Sequence, residues 1–245
     1  MSPSTLQRSV FISDIHLNEQ RPELTGALLS FLSKLEHECD ELYLLGDIFE
    51  AWLGDDAITP LSEQVMSALM QLQQSGCALF FVHGNRDFLI GDGFCEAVGA
   101  TLLGDITNIT LPNQQTATIL HGDTLCTDDT DYLAFRQQVR NPQWQQMFLS
   151  KSVAERITFA KQARAASAQK NQTTALDILD ANEEAVCALF EQQQTQVMIH
   201  GHTHRPKVHE YPKTQCVRYV LSDWEHSFQF LDCTPQGCKL IKVAI

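Results

Sequence analysis

No stretch of eighteen apolar residues occurs anywhere along the 245 residues, so no segment is long enough to cross a bilayer as a helix. Ahead of the first expected strand, near Arg8, there is no basic segment followed by an apolar one, and no secretory leader is expected. None of the eight cysteines (39, 77, 95, 126, 187, 216, 233 and 238) stands in a CxxC pair. That removes the common zinc-thiolate spacing and leaves buried thiols in a reducing cytosol as the expectation. Cys233 and Cys238, which flank a Thr-Pro-Gln-Gly turn, could approach each other across a hairpin. Positive charge is scarce. With 17 Lys and Arg against 30 Asp and Glu, the net charge of −13 argues against general nucleic-acid binding. No internal repeat is present, and no disordered tail is expected.

What is present is an alternation of short apolar runs and helical spacing. Strands are expected at about 8–13, 41–45 and 77–82, separated by helices at about 22–37 and 60–75 and followed by a helix near 88–98. That βαβαβ order is the pattern of a right-handed parallel layer in an α/β fold with mixed α+β character. A hairpin follows at 106–111 and 116–120, and the C-terminal part is strand-rich (196–199, 207–211, 216–221, 227–232 and 238–244). Two packed mixed sheets flanked by helices accommodate this order. Residues 127–193 interrupt it: they are rich in Gln, Ala, Arg and Lys, with Asn141-Pro142 dividing two helices. The expected organisation is a core of 1–126 and 194–245, with 127–193 as a helical lid inserted over one edge.

Five short pieces close apolar runs: Asp14-Ile15-His16, Gly46-Asp47, Gly84-Asn85-Arg86-Asp87, His121-Gly122-Asp123 and Gly201-His202-Thr203-His204. Together Asp14, His16, Asp47, Asn85, His121, His202 and His204 supply seven oxygen or imidazole donors, about what two adjacent divalent cations need. If the runs lie side by side as strands, their carboxyl ends gather these donors at one sheet edge. Gly46 and Gly84 let the chain come close to an ion, and Asp47 can bridge two ions. Asp, His and Asn without Cys favour Mn²⁺, Fe²⁺ or Mg²⁺ over structural zinc. His83 and His200, at strand ends, are expected to support the site rather than ligate, and Asp123 either orients an imidazole or finishes a turn. His37, His209 and His226 are expected to be ordinary loop or strand residues.

In this order the five pieces resemble the calcineurin-like metallophosphoesterase superfamily, whose pattern runs DxH, GD, GN[HD][ED], H and GHxH. The longer runs Leu45–Asp56, Gly84–Gly91, His121–Asp129 and His200–Pro206 resemble, within it, the family of UDP-2,3-diacylglucosamine pyrophosphohydrolases of lipid A biosynthesis, over essentially the whole chain. The resemblance implies an αββα two-sheet sandwich with a helical lid and two Mn²⁺ ions. One would be held by Asp14, His16, Asp47 and His204, the other by Asp47, Asn85, His121 and His202. It also implies attack of a metal-activated water on the α-phosphorus, with Asn85, Arg86 and His202 stabilising the developing charge. Asp129, Ser167 and Asn171 would contact the substrate, a UDP-linked diacylated glucosamine lipid. Thr174 stands where a lysine is expected, so its contact passes to Lys170 or is lost.

Arg86 occupies the place where many superfamily members carry a histidine that protonates an alkoxide. A phosphate monoester leaves without such help, its second pKa being about 6, and a guanidinium supplies fixed positive charge instead. A pyrophosphate substrate is favoured on chemical grounds, the alternative being that Arg86 merely pairs with a surface acid. Between Arg136 and Lys170 stand seven cations and one acid, interleaved with Phe135, Trp144, Met147, Phe148, Ile157 and Phe159. Such a surface suits acyl chains and an anionic inner-membrane face, though it also suits helices packed on the core with a solvated basic side. The expectation is a cytoplasmic monomer peripheral on the inner membrane. A soluble nucleotide pyrophosphatase, a cyclic-nucleotide phosphodiesterase and a metal-free scaffold stay open as alternatives.

Overall fold

A computed structural model describes residues 6–173, 178–225 and 227–244. The central strand, β1 (Ser9–Ile12), is buried on both faces, and its side chains alternate between two cores. Val10 and Ile12 meet α1 (Pro22–Leu35) and α2 (Pro60–Gln74) on one side, whereas Phe11 meets Ile119 and Ile199 on the other. The same division runs through β2 (Glu41–Leu44) and β3 (Ala78–Phe81), with Leu42, Leu44, Leu79 and Phe81 towards the helices. Continuous apolar runs, rather than alternating ones, are what a sheet covered on both faces requires.

The helices α3 (Asp92–Val98), α4 (Thr130–Val139), α5 (Pro142–Leu149), α6 (Val153–Thr173) and α7 (Glu183–Gln193) complete the helical set among the described residues. The remaining strands are β4 (Ala100–Leu102), β5 (Ile106–Thr110), β6 (Thr116–Leu120), β7 (Val197–His200), β8 (Lys207–Tyr211), β9 (Cys216–Val220), β10 (Ser227–Thr234) and β11 (Gly237–Ala244). One sheet runs β11-β10-β1-β2-β3-β4 and the other β5-β6-β7-β9-β8. β1 to β4 are mutually parallel, as are β6, β7 and β9. Met198 of β7 faces away from the first sheet and packs with Val186, Leu189 and Phe190 of α7. The four layers α, β, β, α thus meet at three interfaces, each visible as a separate apolar cluster. No helix among the described residues is long and apolar enough to cross a membrane.

Four features differ from the sequence reading. First, α7 was expected within the lid, but its apolar face covers the outer side of the second sheet and none of it lines the large cavity. Second, α3 starts at Asp92 rather than near residue 88. The Asp87 carboxylate is taken by distant backbone groups, and Asp55 caps α3 instead, accepting from Gly91 N at 3.2 Å and Phe94 N at 3.0 Å. Third, β4, only three residues long, escaped the sequence reading. Fourth, Cys233 and Cys238 form a disulfide across the β10–β11 hairpin, so the expectation of free thiols does not hold for that pair.

Asn141-Pro142 does divide α4 from α5: Asn141 Oδ1 accepts from Gln143 N at 2.9 Å, with Pro142 at the first helical position. Trp144, Phe148 and Phe159 form an aromatic trio with centroids 4.9–5.6 Å apart, and Phe148 joins the main helix-side core. The arginines of these helices turn inwards. Arg136 bonds Asp123 and Asp105, Arg140 donates to Gly84 O at 2.9 Å, Arg156 is buried against Asp56 and Leu53 O, and Arg164 meets Glu50 at 3.3 Å. The expected basic face is therefore largely spent on ion pairs with the core.

Phe11 is fully buried between the sheets and stacked on Tyr43 at 4.7 Å. Phe11→Ala is expected to cost about 3–5 kcal/mol, the range for truncating a buried aromatic. Urea unfolding followed by circular dichroism measures it, and a change below about 1 kcal/mol would mean that the two sheets pack without it.

Candidate metal centre

Each donor-bearing piece follows the carboxyl end of a parallel strand: Asp14 and His16 after β1, Asp47 after β2, Asn85 after β3, His121 after β6, and His202 and His204 after β7. The pieces are tied to one another by backbone bonds, Asp14 N to Gly46 O at 3.1 Å, His16 N to Asp47 O at 3.0 Å and Gly201 N to His121 O at 2.8 Å. Asp14, His16, Asp47, His202 and His204 all have φ between +53° and +67°. Only nine non-glycine residues among those described are left-handed, so five of them sit here. Each costs on the order of 1–3 kcal/mol, which persists only where the surroundings over-determine it. The turn is what lets two residues in successive positions of one loop face the same point.

The seven side chains converge. His16 Nε2 lies 3.2 Å from His204 Nε2, which is 3.5 Å from Asp14 Oδ1, and Asp47 Oδ2 is 3.9 Å from His16 Nε2. Its other oxygen, Oδ1, is 3.7 Å from His121 Nε2. Asn85 Oδ1 stands 3.0 Å from His121 Nε2 and 2.9 Å from His202 Nδ1, and those two nitrogens are 3.2 Å apart. The donors thus fall into two sets that share Asp47. His121 donates its Nδ1 proton to Leu45 O at 2.8 Å, which turns the Nε2 lone pair inwards. Gly46 and Gly84 permit the approach: a Cβ on Gly46 would overlap Gly84 N and stand 2.9 Å from His121 Nδ1.

The arrangement fits divalent cations. Groups drawn from Asp14, His16 and His204, and from Asp14, Asp47 and His121, bring ligand atoms within 4.8 Å of one another. Imidazole nitrogens facing each other at 3.2 Å need a proton or a cation between them, and the buried Asp14 Oδ1 has no hydrogen-bond partner among the described residues. Burial would depress His204, yet its bonds to Asp14 and Asp223 carry its pKa up to about 10. Burial would raise Asp14, yet His204, His121 and His16 hold it well below the usual carboxylate range. His202 is pulled down to about 4 by burial and by His121.

Around the donors stand residues whose roles sequence left open or missed. The fully buried Asp87 accepts at Oδ1 from Asp47 N (3.1 Å) and Gly84 N (3.0 Å), and at Oδ2 from Ile48 N (2.8 Å). Burial and the adjacent Asp47 both push its pKa upwards. Asp123 Oδ2 accepts from Tyr132 Oη at 2.5 Å and Arg136 Nε at 2.7 Å, so it ties α4 to the site rather than holding an imidazole. His200 is buried, donates from Nδ1 to Gly201 O at 2.9 Å, and is kept neutral by burial, its pKa falling to about 3. His83 Nε2 meets Ile90 O at 2.7 Å. Arg86 reaches Glu50 at 3.9 Å, its backbone N–H donates to Asp47 Oδ1 at 2.8 Å, and its Nε is buried without a partner among the described residues. Glu50 is shared with Arg164 and with His16 Nδ1 at 3.4 Å. The basic run of 136–170 was the signal that could have marked Arg164.

The site opens into a cavity of about 850 Å³. One wall is apolar, formed by Trp52, Phe88, Leu89, Phe135, Trp144, Phe148 and Phe159. Asp129 and Ser167, expected at the substrate, line it together with Arg86, Asn85 and His202. Thr174 and the side chains of Lys170 and Asn171 lie outside the described residues.

The calcineurin-like phosphoesterase family pattern matches residues 8–206. A UDP-2,3-diacylglucosamine hydrolase of Marinobacter nauticus is 46% identical over 92% of this chain and 93% of its own length. One of Cellvibrio japonicus is 44% identical over 95% and 97%. Among solved structures, an archaeal phosphodiesterase superposes with a TM-score of 0.51 at 9% identity, covering 97% of this chain and 99% of its own, which shows the fold. The chain belongs to the calcineurin-like phosphoesterase family and, within it, to the same family as these UDP-2,3-diacylglucosamine hydrolases.

Proposed function

We propose that the chain hydrolyses the pyrophosphate bond of UDP-2,3-diacylglucosamine in lipid A biosynthesis, water entering at the α-phosphorus to give UMP and 2,3-diacylglucosamine 1-phosphate. The observation that carries this reading is the continuity of the donor cluster with an apolar-walled cavity large enough for acyl chains. Asp14, His16, Asp47 and His204 would hold one Mn²⁺, and Asp47, Asn85, His121 and His202 the other. Bound there, such ions supply Lewis acidity towards phosphate oxygens and a water acidic enough to ionise near neutral pH.

The chain's own residues do the remainder. Arg86, held beside Glu50 with an unpartnered Nε, places fixed positive charge on the phosphate group. No proton need be delivered to the lipid phosphate as it leaves, which is why a guanidinium serves where an imidazole would otherwise stand. Asn85 directs Oδ1 to the two imidazoles, so its amide N–H groups point elsewhere, free to meet a phosphate oxygen together with His202. Asp129, Ser167, Asn171 and Thr174 are proposed contacts of the glucosamine phosphate region. We assign the lid to α4, α5 and α6: their aromatic trio excludes water from the acyl wall, while Arg164 meets the core at Glu50.

Attachment to the cytoplasmic face of the inner membrane is proposed through apolar rather than basic groups. Met147, Leu149, Val153 and Ile157 are exposed where α5 meets α6, Met147 by 54%, with Lys151 and Lys161 exposed beside them. Met147→Asp combined with Ile157→Asp is expected to reduce binding to anionic lipid vesicles at least about tenfold. Co-sedimentation checks it, and undiminished binding would move the membrane contact elsewhere.

The substrate is tested by comparing Mn²⁺-dependent turnover of UDP-2,3-diacylglucosamine with that of UDP-glucosamine. A preference of several hundredfold for the acylated compound is expected if the apolar wall takes the chains, the equivalent of about four or five buried methylenes. Equal rates would favour a soluble nucleotide pyrophosphatase. Asp47→Ala is expected to abolish turnover, since it removes a donor from both sets. Asp87→Asn, which can accept at only one oxygen, should weaken Mn²⁺ binding about 10–100-fold with the fold intact, as loss of a supporting group does. Titration calorimetry reads this, and unchanged affinity would show that Asp87 does not set the geometry.

A further inference from the structure

The cavity has a second wall of different chemistry. Opposed in character to the aromatic lid, Asn18, Arg21, Asp223, Trp224 and Glu225 line it from the loops that follow β1 and β9. These loops are joined, because Arg21 Nη2 donates to Glu225 O at 2.8 Å. They also abut the donor cluster: Asn18 Nδ2 donates to His16 O at 2.9 Å, and Asp223 Oδ2 lies 3.5 Å from His204 Nδ1. Trp224 is 1% exposed, stacked on Phe228 at 4.1 Å, and its indole N–H has no acceptor among the described residues. Buried indole N–H groups ordinarily find one.

The substrate read for this site has two halves. One is a diacylated sugar, and the aromatic wall suits it. The other is a nucleoside, uncharged but polar, which offers the paired O–H donors of a ribose diol, an N–H donor and two carbonyl acceptors on the base. Carboxylates on this second wall would repel any phosphate beyond the one at the donor cluster, yet they suit hydroxyl donors. Arg21 offers N–H donors for carbonyls, its Nε bound to Glu23 at 2.9 Å and its Nη1 without a partner among the described residues. We propose that Asn18, Arg21, Trp224 and Glu225 form the subsite for the nucleoside half of the substrate, selecting a ribonucleoside, with the ribose diol on the carboxylate side, the base carbonyls on Arg21, and Trp224 as the fixed floor behind them. Asp223 faces the same arm but also meets His204, so it positions that imidazole and is left out of the test. The proposal rests on the reading of the chain as a hydrolase of a UDP-linked lipid.

The test uses the full chain loaded with Mn²⁺ and titration calorimetry with three probes: UMP, deoxy-UMP and inorganic phosphate. The wild-type chain is expected to bind UMP at least about tenfold tighter than phosphate and about threefold or more tighter than deoxy-UMP, as one or two added hydrogen bonds allow. Arg21→Ala should remove most of the advantage of UMP over phosphate, Arg21→Lys should restore part of it, and Glu225→Gln should remove the preference over deoxy-UMP. In each variant phosphate affinity and Mn²⁺ stoichiometry should stay unchanged. The proposal is overturned if the variants keep both preferences, or if UMP and phosphate weaken together, which would mean that the loops merely support the donor cluster. Failure of the functional reading looks different: UDP-2,3-diacylglucosamine is then not turned over, while the UMP preference and its dependence on Arg21 persist.

Discussion

The carboxylate of Asp87, buried and shared among two backbone N–H groups of the loop after β2 and one of its own loop, is the constraint on which the site depends. It fixes Gly84 against Gly46 so closely that neither tolerates a Cβ, and it thereby sets where Asp47 and Asn85 stand. An apolar residue there would leave three buried donors unpaired, each costing about 1–3 kcal/mol. The left-handed turns at Asp14, His16, Asp47, His202 and His204 are sustained by the same network of loop-to-loop bonds. Strain is stored at the strand ends and offset by the packing of the layers behind them.

The electrostatics of the molecule divide in two. At the donor cluster two carboxylates meet four imidazoles, and the pKa values of Asp14 and His204 are driven in opposite directions by their contact, a donor set that divalent cations fit. At α4, α5 and α6 arginines reach into the core and neutralise Asp123, Asp105, Asp56 and Glu50, so these helices dock through ion pairs around an aromatic centre. Removing one partner of such a pair is costly when the other is buried, which makes the three helices a fitted wall rather than a loose arm. A polar wall from the β1 and β9 loops completes the cavity, so one space presents aromatic, cationic and hydrogen-bonding surfaces together.

Much of this was legible in the chain. The strands of both sheets are local apolar runs, and each donor lies within a few residues of a run's end, so their order and their convergence at one edge could be read directly. What could not be read depends on partners distant in sequence. Asp87 resembles a helix cap until Ile48 and Gly84 are seen beside it, and the real cap of α3 is Asp55, from a loop before α2. The positive run in the lid reads as a solvated or membrane-facing surface because nothing local shows that Arg156 is buried against Asp56. The place of α7 in the outer layer follows from Met198 pointing away from the first sheet, a matter of strand parity that composition does not reveal.

The central claim is that the seven gathered donors direct water to the α-phosphorus of a UDP-linked diacylated lipid. Hydrolysis of UDP-2,3-diacylglucosamine by the Mn²⁺-loaded chain in water labelled with heavy oxygen, followed by mass spectrometry of both products, tests it most directly. The account predicts the label in UMP and none in the lipid monophosphate. Label in the lipid monophosphate would contradict the assignment of the attacked phosphorus, and absence of either product would contradict the account as a whole.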